Sequence, residues 1–185
     1  MRYSEQEAGV LEEVIAIRFH TKVTKGGRKL TCAALVTVGD GRGKVGLGYG
    51  KARSVPMAIE KGTKEARAQM KDINLVGDTV AHEVTGRHGS ARVFLKPATQ
   101  GTGVKAGKTT RAILQVAGVH NVLSKLYGNS NPMNVAKATM NALEQMNSVE
   151  EVEKLRGVRV RLFHPQAREP VPAAVEADEP PEESG

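Results

Sequence analysis

The chain has little of several things, and each scarcity removes a class of explanation. Among its 185 residues there is one cysteine, Cys32, and no tryptophan. A single cysteine excludes an intrachain disulfide framework and a multi-cysteine zinc site, and it fits a reducing, cytoplasmic setting. No apolar run approaches the roughly 18 residues that a membrane-crossing helix needs. Residues 1–13 hold four glutamates and lack an apolar core segment, so no secretory signal is expected. The five histidines, His20, His82, His88, His120 and His164, show no i,i+4 pairing and no H-E-x-x-H pattern, and no Ser, His and Asp set can be assigned. Neither a metal site nor a nucleophilic enzyme is indicated, and no cofactor is implied.

What is present is charge, unevenly spread. Residues 14–75 carry 13 Lys and Arg against 4 Asp and Glu, and residues 76–148 carry 8 against 3. Acidic ends mask this basic middle: residues 1–13 have a net charge of −3 and residues 166–185 of −5, leaving +7 for the whole chain. A strongly basic domain attracts phosphate backbones by releasing their counterions. An anionic membrane would also attract it, but no amphipathic anchor accompanies the charge. Single-strand binders rest on aromatic stacking platforms. The six scattered rings here, Tyr3, Phe19, Tyr49, Phe94, Tyr127 and Phe163, point instead to folded RNA read by its backbone and shape.

Periodicity divides the chain into two α/β units. A strand begins at Val14, Ala16 and Phe19, turns at Gly26-Gly27, and returns through the apolar and β-branched stretch 30–38. The turn Gly39-Asp40-Gly41-Arg42-Gly43-Lys44 leads to a third strand, where Val45, Leu47 and Tyr49 alternate with Gly46, Gly48 and Gly50. Ser54 can cap a helix to about residue 71, with Pro56 in its first turn and Val55, Ile59, Gly62, Ala66 and Met70 in one stripe. Lys64, Arg67 and Lys71 lie on a different face, with Lys61 beside them. After a linker at 74–78, Val80, His82 and Val84 and then Ala91, Val93 and Leu95 alternate around Gly86-Arg87-His88-Gly89, as in a hairpin. A glycine-rich stretch, 100–108, precedes a helix over 109–118 with Ala112, Ile113 and Val116 inward. A strand over 121–127 follows, then a helix opened by Asn131-Pro132 with Val135, Ala138, Ala142 and Met146 buried. Ser148 and Glu151 suggest a capping box for a short helix to Arg156. The order is β-β-β-α, then β-β-α-β-α.

Two glycine motifs invite a nucleotide and do not support one. Gly41-Arg42-Gly43-Lys44-Val45-Gly46 matches G-x-G-x-x-G, but a strand follows where a dinucleotide site needs a helix N-terminus. Gly107-Lys108-Thr109 looks like the end of a P-loop, yet Thr102 stands where its first glycine is required. The glycines of the third strand raise another possibility. Their bare face could lie against RNA backbone flanked by Lys44, Lys51 and Arg53, and close packing of the following helix through Gly62 is the alternative.

Together these segments resemble the family of bacterial small-subunit ribosomal protein five. The stretches that carry the resemblance are Lys22-Val23-Thr24-Lys25-Gly26-Gly27-Arg28, Val38-Gly39-Asp40-Gly41-Arg42-Gly43, Val45-Gly46-Leu47-Gly48-Tyr49-Gly50-Lys51-Ala52-Arg53, Gly101-Thr102-Gly103, Val116-Ala117-Gly118-Val119-His120-Asn121-Val122 and Gly128-Asn129-Ser130-Asn131-Pro132. They occur in family order and span about residues 9–148. The resemblance implies an α+β protein. Its first domain, over 12–75, would be similar to a double-stranded-RNA-binding domain without the first helix. Its second, over 76–148, would contain a left-handed β-α-β crossover, an exception to the usual hand. An extension over 149–165 and an acidic tail over 166–185 would follow. The implied role is a non-enzymatic constituent of the small ribosomal subunit, binding its RNA beside proteins four and eight near the mRNA entrance, and supporting assembly and decoding accuracy. The RNA-contacting residues would be Lys22, Lys25, Gly26, Gly27 and Arg28 at a loop near the head–body junction, tied to spectinomycin sensitivity, with Arg42, Lys44, Lys51, Arg53, Lys64 and Arg67. Gly101, Gly103 and Arg111 would face protein four. Where the family commonly has Asn-Arg, this chain has Arg18-Phe19.

Two rivals remain at this stage, an NTPase using Gly107-Lys108-Thr109 and a free double-stranded-RNA-binding regulator. The segment 166–185, with four of the eight prolines and a net charge of −5, is expected to be disordered, because it cannot bury enough apolar surface to offset ordering entropy. Deleting it should leave the thermal unfolding midpoint nearly unchanged. A drop comparable to losing a core element would show that the tail docks.

Overall fold

The computed structural model describes residues 9–157. The expected tail at 166–185 lies outside them, as do residues 158–165 of the expected extension. Three long strands open the described chain, β1 (Leu11–Thr24), β2 (Gly27–Gly39) and β3 (Lys44–Ala52), and helix α1 (Val55–Ala68) follows. The short strands β4 (Lys71–Asp72), β5 (Leu75–Val76) and β6 (Thr79–Val80) lead into β7 (Val84–His88) and β8 (Ala91–Pro97). Then come β9 (Val104–Lys105), α2 (Lys108–Ala117), β10 (Val122–Gly128), α3 (Pro132–Glu144) and α4 (Val149–Arg156). One sheet has the order β1-β2-β3-β4, a second β7-β8-β10-β9, and β5-β6 pair alone. Within the sheets all pairings are antiparallel except β9 with β10, which are parallel and joined through α2 in a β-α-β unit. The α+β class and the order of the long elements match the expectation.

Several local expectations change. The linker at 74–78 contributes to a small hairpin in which Leu75 pairs with Val80, so Val80 and Val84 belong to different strands. The turn between β7 and β8 lies at Gly89-Ser90, and Gly86 sits inside β7. Strand β9 is an addition to the second unit. Ser54 and Asn131 occupy the N-cap positions of α1 and α3, but neither side chain makes a capping hydrogen bond.

The largest correction concerns the glycine face of β3. Val36 and Val38 of β2, with Ala58 and Ala66 of α1, form a small core between the first sheet and α1. Gly46, Gly48 and Gly50 point into this layer. A Cβ at Gly46 would overlap the Ala66 carbonyl oxygen, one at Gly48 the Gly62 carbonyl, and one at Gly50 the Ala58 carbonyl. The glycines therefore let helix backbone rest directly on strand backbone, and RNA has no access to this face. Val45 and Leu47 point the other way, into the larger core. That core holds Ile15 and Leu35 of the first sheet, Ile113 and Val116 of α2, Val135 and Leu143 of α3, and Val93 and Leu95 of the second sheet. The layers run α1, first sheet, helix pair α2 and α3, second sheet.

The two units join at the β2–β3 turn. The Gly41 amide donates to the Val116 carbonyl and the Gly43 amide to the Ala117 carbonyl, both at 3.0 Å. These carbonyls belong to the last turn of α2, where no intrahelical partner exists. Gly118 ends α2 in the left-handed region, at φ 92, and a Cβ there would overlap the Gly41 carbonyl. Asp40 shapes the turn, its carboxylate accepting from the amides of Arg42 at 2.8 Å and Lys44 at 2.9 Å. Burial alone would raise the Asp40 pKa, but those two amides, its own amide and the Lys44 charge outweigh it and hold it below the ordinary 3.8.

Two outcomes follow. Gly48→Val should unfold the isolated chain or lower its stability by about 3 kcal/mol, the upper end of overpacking costs, because the opposed atoms are backbone. Gly26→Ala, with nothing within 4 Å of the added methyl, should change it by less than about 0.5 kcal/mol. A Gly48→Val chain as stable as the parent in denaturant titration would overturn this packing account. For Asp40 the folded pKa lies below the unfolded one. Its stabilisation is therefore present above the unfolded value and lost as pH falls through the lower folded value. Asp40→Asn should melt earlier than the parent near neutral pH, and the gap should close in strong acid. A gap independent of pH would show that the charge plays no part.

Candidate nucleic-acid interface

The β1–β2 hairpin outgrows the body that supports it. From Ile17 to Leu30 every residue but Thr24 is exposed, whereas Ile15 and Cys32 are buried. The distal half is therefore a two-stranded arm. Its register is fixed by the ladder, with Phe19 opposite Cys32, Thr21 opposite Leu30, Lys22 opposite Lys29 and Val23 opposite Arg28. The turn closes at Thr24 and Gly27, where the Thr24 hydroxyl donates to the Gly27 carbonyl at 3.0 Å and Gly27 has φ 113. Strand alternation then sorts the side chains. Arg18, His20, Lys22 and Lys29 share one face, and Ile17, Phe19, Val23, Leu30 and Arg28 share the other, with Lys25 at the tip.

The arm's charge is unbalanced. Residues 14–39 contain Arg18, Lys22, Lys25, Arg28 and Lys29 and no Asp or Glu. Lys22 and Lys29 stand directly opposite one another, an arrangement that destabilises a ladder by a few tenths of a kcal/mol to about 1 kcal/mol. A folded protein that keeps like charges opposed on a solvated arm holds a field suited to a polyanion. At the root of the basic face, Arg18, His20 and Tyr49 line a cleft of about 200 Å³ with Asn131, Pro132 and Met133 at the start of α3.

The other expected RNA residues divide into two groups. Lys51 and Lys64 meet beside Tyr49, Lys61 and Glu65 in an open concavity between β3 and α1, while Arg42 and Arg53 are exposed nearby in sequence. Lys44 and Arg67 are already paired. Lys44 lies 3.4 Å from Asp72, and the Arg67 Nη2 and Nε donate to the Glu12 Oε1 at 2.8 and 3.2 Å. Gly26 and Gly27 serve the turn. Arg18, His20 and Lys29 are additions to the expected set, and their alternation at 18, 20 and 22 is the signal that identifies their common face.

The second unit offers two further surfaces. Gly101 and Gly103 have φ of 87 and 73 in the loop before β9. The Gly103 amide donates to the buried Asn121 side chain at 3.1 Å, and its carbonyl accepts from Val122 at 3.2 Å. Arg111, in the first turn of α2, is exposed beside exposed Lys108. The outer face of the second sheet sets Arg87, Arg92 and Tyr127 in one row and Thr85, Phe94 and Lys125 in the next. This face was missed in sequence, although Arg92, Phe94 and Lys96 alternate visibly. Among the described residues no group of three or more His, Cys, Asp or Glu could hold a metal ion, and no helix is long and apolar enough to cross a membrane.

Comparison with known proteins covers both units. The family model "Ribosomal protein S5, N-terminal domain" matches residues 10–74, and "Ribosomal protein S5, C-terminal domain" matches residues 86–156. The chain is 51% identical over 156 residues to small ribosomal subunit protein uS5 of Pseudoalteromonas translucida, covering 84% of this chain and 93% of that one. It is 52% identical over 155 residues to uS5 of Idiomarina loihiensis, with 84% and 93% covered. With uS5 of Shewanella oneidensis it shares 50% over 157 residues, with 85% and 94% covered. Matched along both halves of its fold and half-identical to these relatives, the chain belongs to the ribosomal protein S5 family.

Proposed function

We propose that this chain is a structural, non-enzymatic constituent of the small ribosomal subunit, in the cytoplasm, and that it binds small-subunit ribosomal RNA. The observation that carries the reading is the projecting arm, with five Lys and Arg and no carboxylate between residues 14 and 39, in a chain of this family. A basic ribbon of this kind fits a groove or junction of folded RNA and contacts phosphates from both faces. Lys22, Lys25 and Arg28 are the distal contacts, with Gly26 and Gly27 holding the tip, and Arg18 and Lys29 extend the set towards the body. Lys51, Arg53 and Lys64 form a second basic group at the end of β3, and Arg42 stands apart on the turn before that strand. Lys44 and Arg67 contribute less, because Asp72 and Glu12 already neutralise them.

The finer assignments are ours as well. Residues 12–75 form the RNA-facing unit and 76–148 the unit that meets protein partners, with 149–165 an extension. Proteins four and eight of the small subunit are the neighbours, and Gly101, Gly103 and Arg111 face protein four. The mRNA entrance lies close by, and support for decoding accuracy follows from that position. The NTPase rival has lost its footing, because both halves of the chain match ribosomal protein S5 domains and Thr102 stands where a Walker motif needs its first glycine.

Replacing Lys25 and Arg28 by Ala should reduce the slope of log affinity against log salt by roughly 1 for each contact removed, measured with small-subunit RNA. The thermal midpoint of the isolated chain should stay near that of the parent. Subunits assembled with the double variant should show altered RNA footprints at the arm and an altered spectinomycin response. Unchanged footprints would overturn the arm's role.

A further inference from the structure

Arg18, Lys22 and Lys29 occupy one face of the arm and Lys25 its tip, while the other face carries Arg28 and Thr21 and is otherwise apolar. Ile17 is 40% exposed, Phe19 61%, Val23 73% and Leu30 55%. All four lie on the same side of the ladder, because Phe19 pairs with buried Cys32 and Val23 with Arg28. Toward the body this face becomes the small core against α1, through Cys32 and Ala34. Beyond Cys32 no described residue covers it. Exposed apolar side chains scattered singly need no explanation. A continuous strip on a projecting element marks a contact surface.

The charge beside the strip selects its occupant. An apolar segment of a protein would gain nothing from a ribbon bearing Arg18, Lys22, Lys25, Arg28 and Lys29 with no acidic residue from 14 to 39, and membership of the ribosomal protein S5 family favours RNA over a phospholipid as the anion that meets it. RNA offers both chemistries within one molecule, phosphates for the cations and flat apolar base faces for the strip. A base inside a helix shows neither face, so the ligand must present an unpaired one. We propose that Phe19 is a stacking platform for an unpaired nucleobase of RNA, with Ile17 and Leu30 forming its apolar surround and Arg28 placed for a flanking phosphate. This rests on the reading of the arm as an RNA-binding element, and adds that the arm recognises an extruded base as well as a charged backbone.

The absence of tryptophan supplies the probe. In the full-length chain, Phe19→Trp places a single indole at the proposed platform. Titrated with a single-stranded oligoribonucleotide, its fluorescence should be strongly quenched, and a fully paired RNA duplex of the same length should quench it little. Phe19→Leu keeps an apolar side chain and removes the ring. It should bind the single strand about tenfold or more weakly, with an unchanged salt slope, while Phe19→Tyr binds like the parent. Equal binding by the Leu variant, or equal quenching by duplex, would overturn the stacking proposal, leaving an apolar contact to protein as the account of the strip. The combined variant Lys22→Ala, Lys25→Ala, Arg28→Ala separates the two levels. If it binds RNA as tightly as the parent, the arm is no RNA element and both readings fall. If it loses affinity and salt dependence while Phe19→Leu does not, only the platform falls.

Discussion

The fold depends on how the end of α2 is satisfied. A helix leaves its final carbonyls without partners, and burying them unpaired costs about as much as a lost hydrogen bond for each. Here two of them, on Val116 and Ala117, accept from Gly41 and Gly43 of the turn between β2 and β3. The contact is intimate. At Gly39 an added Cβ would lie 2.5 Å from the Lys44 carbonyl and 2.6 Å from the Val116 carbonyl. Residues 74 and 75 apart in sequence are thereby locked backbone to backbone, and Ile15, Leu35 and Val45 share one core with the helices and sheet of the second unit. The halves matched separately by the family models are bolted together at this turn, and Asp40 keeps the turn in shape.

The same economy of side chains recurs at the sheet–helix contacts. Gly46, Gly48 and Gly50 lie beneath Ala58, Gly62 and Ala66 of α1, and Gly86 lies beneath Ala138 and Ala142 of α3. Glycine in a strand costs roughly 0.5–1 kcal/mol relative to alanine, and close packing over a stripe of small helical residues offsets it. The consequence for function is positional. With α1 seated so low on β3, the glycine face is closed, and Lys51, Lys61 and Lys64 stand at the open rim between strand and helix.

How much of this was legible follows from the range of each interaction. The long elements were, because periodicity is local: the stripe Val55, Ile59, Gly62, Ala66 and Met70 does face the first sheet. The glycine face of β3 was misjudged because alternation announces two faces without saying which is covered. The overlooked clue was the four-residue spacing of Ala58, Gly62 and Ala66, a small-residue stripe that matches a glycine strand. Strands of two residues, such as β5, β6 and β9, carry no periodic signal, since their pairing comes from distant segments. At the site, the contiguous loop 22–28 was plain. That Arg18, His20 and Lys29 share a face with Lys22 needed the register. That Arg67 is held by Glu12, fifty-five residues away, needed the tertiary structure.

The arm shows why an ordered body and a charged projection belong together. A two-stranded ribbon alone is marginal in water, and the opposed Lys22 and Lys29 weaken this one further. Its ladder is continuous with the buried stretch of β2 from Cys32 to Gly39, so the core sets the register before any partner arrives. One residue of slippage would exchange the basic and apolar faces. The rooted ladder therefore fixes which side carries cations and which carries Phe19. Under the proposed function, phosphates approaching the basic face relieve the repulsion between the two lysines, so binding stabilises the arm in the conformation the core has already chosen. The core sets geometry and the unbalanced charge leaves the stabilising step to the RNA, a division of labour that a self-neutralised hairpin could not achieve.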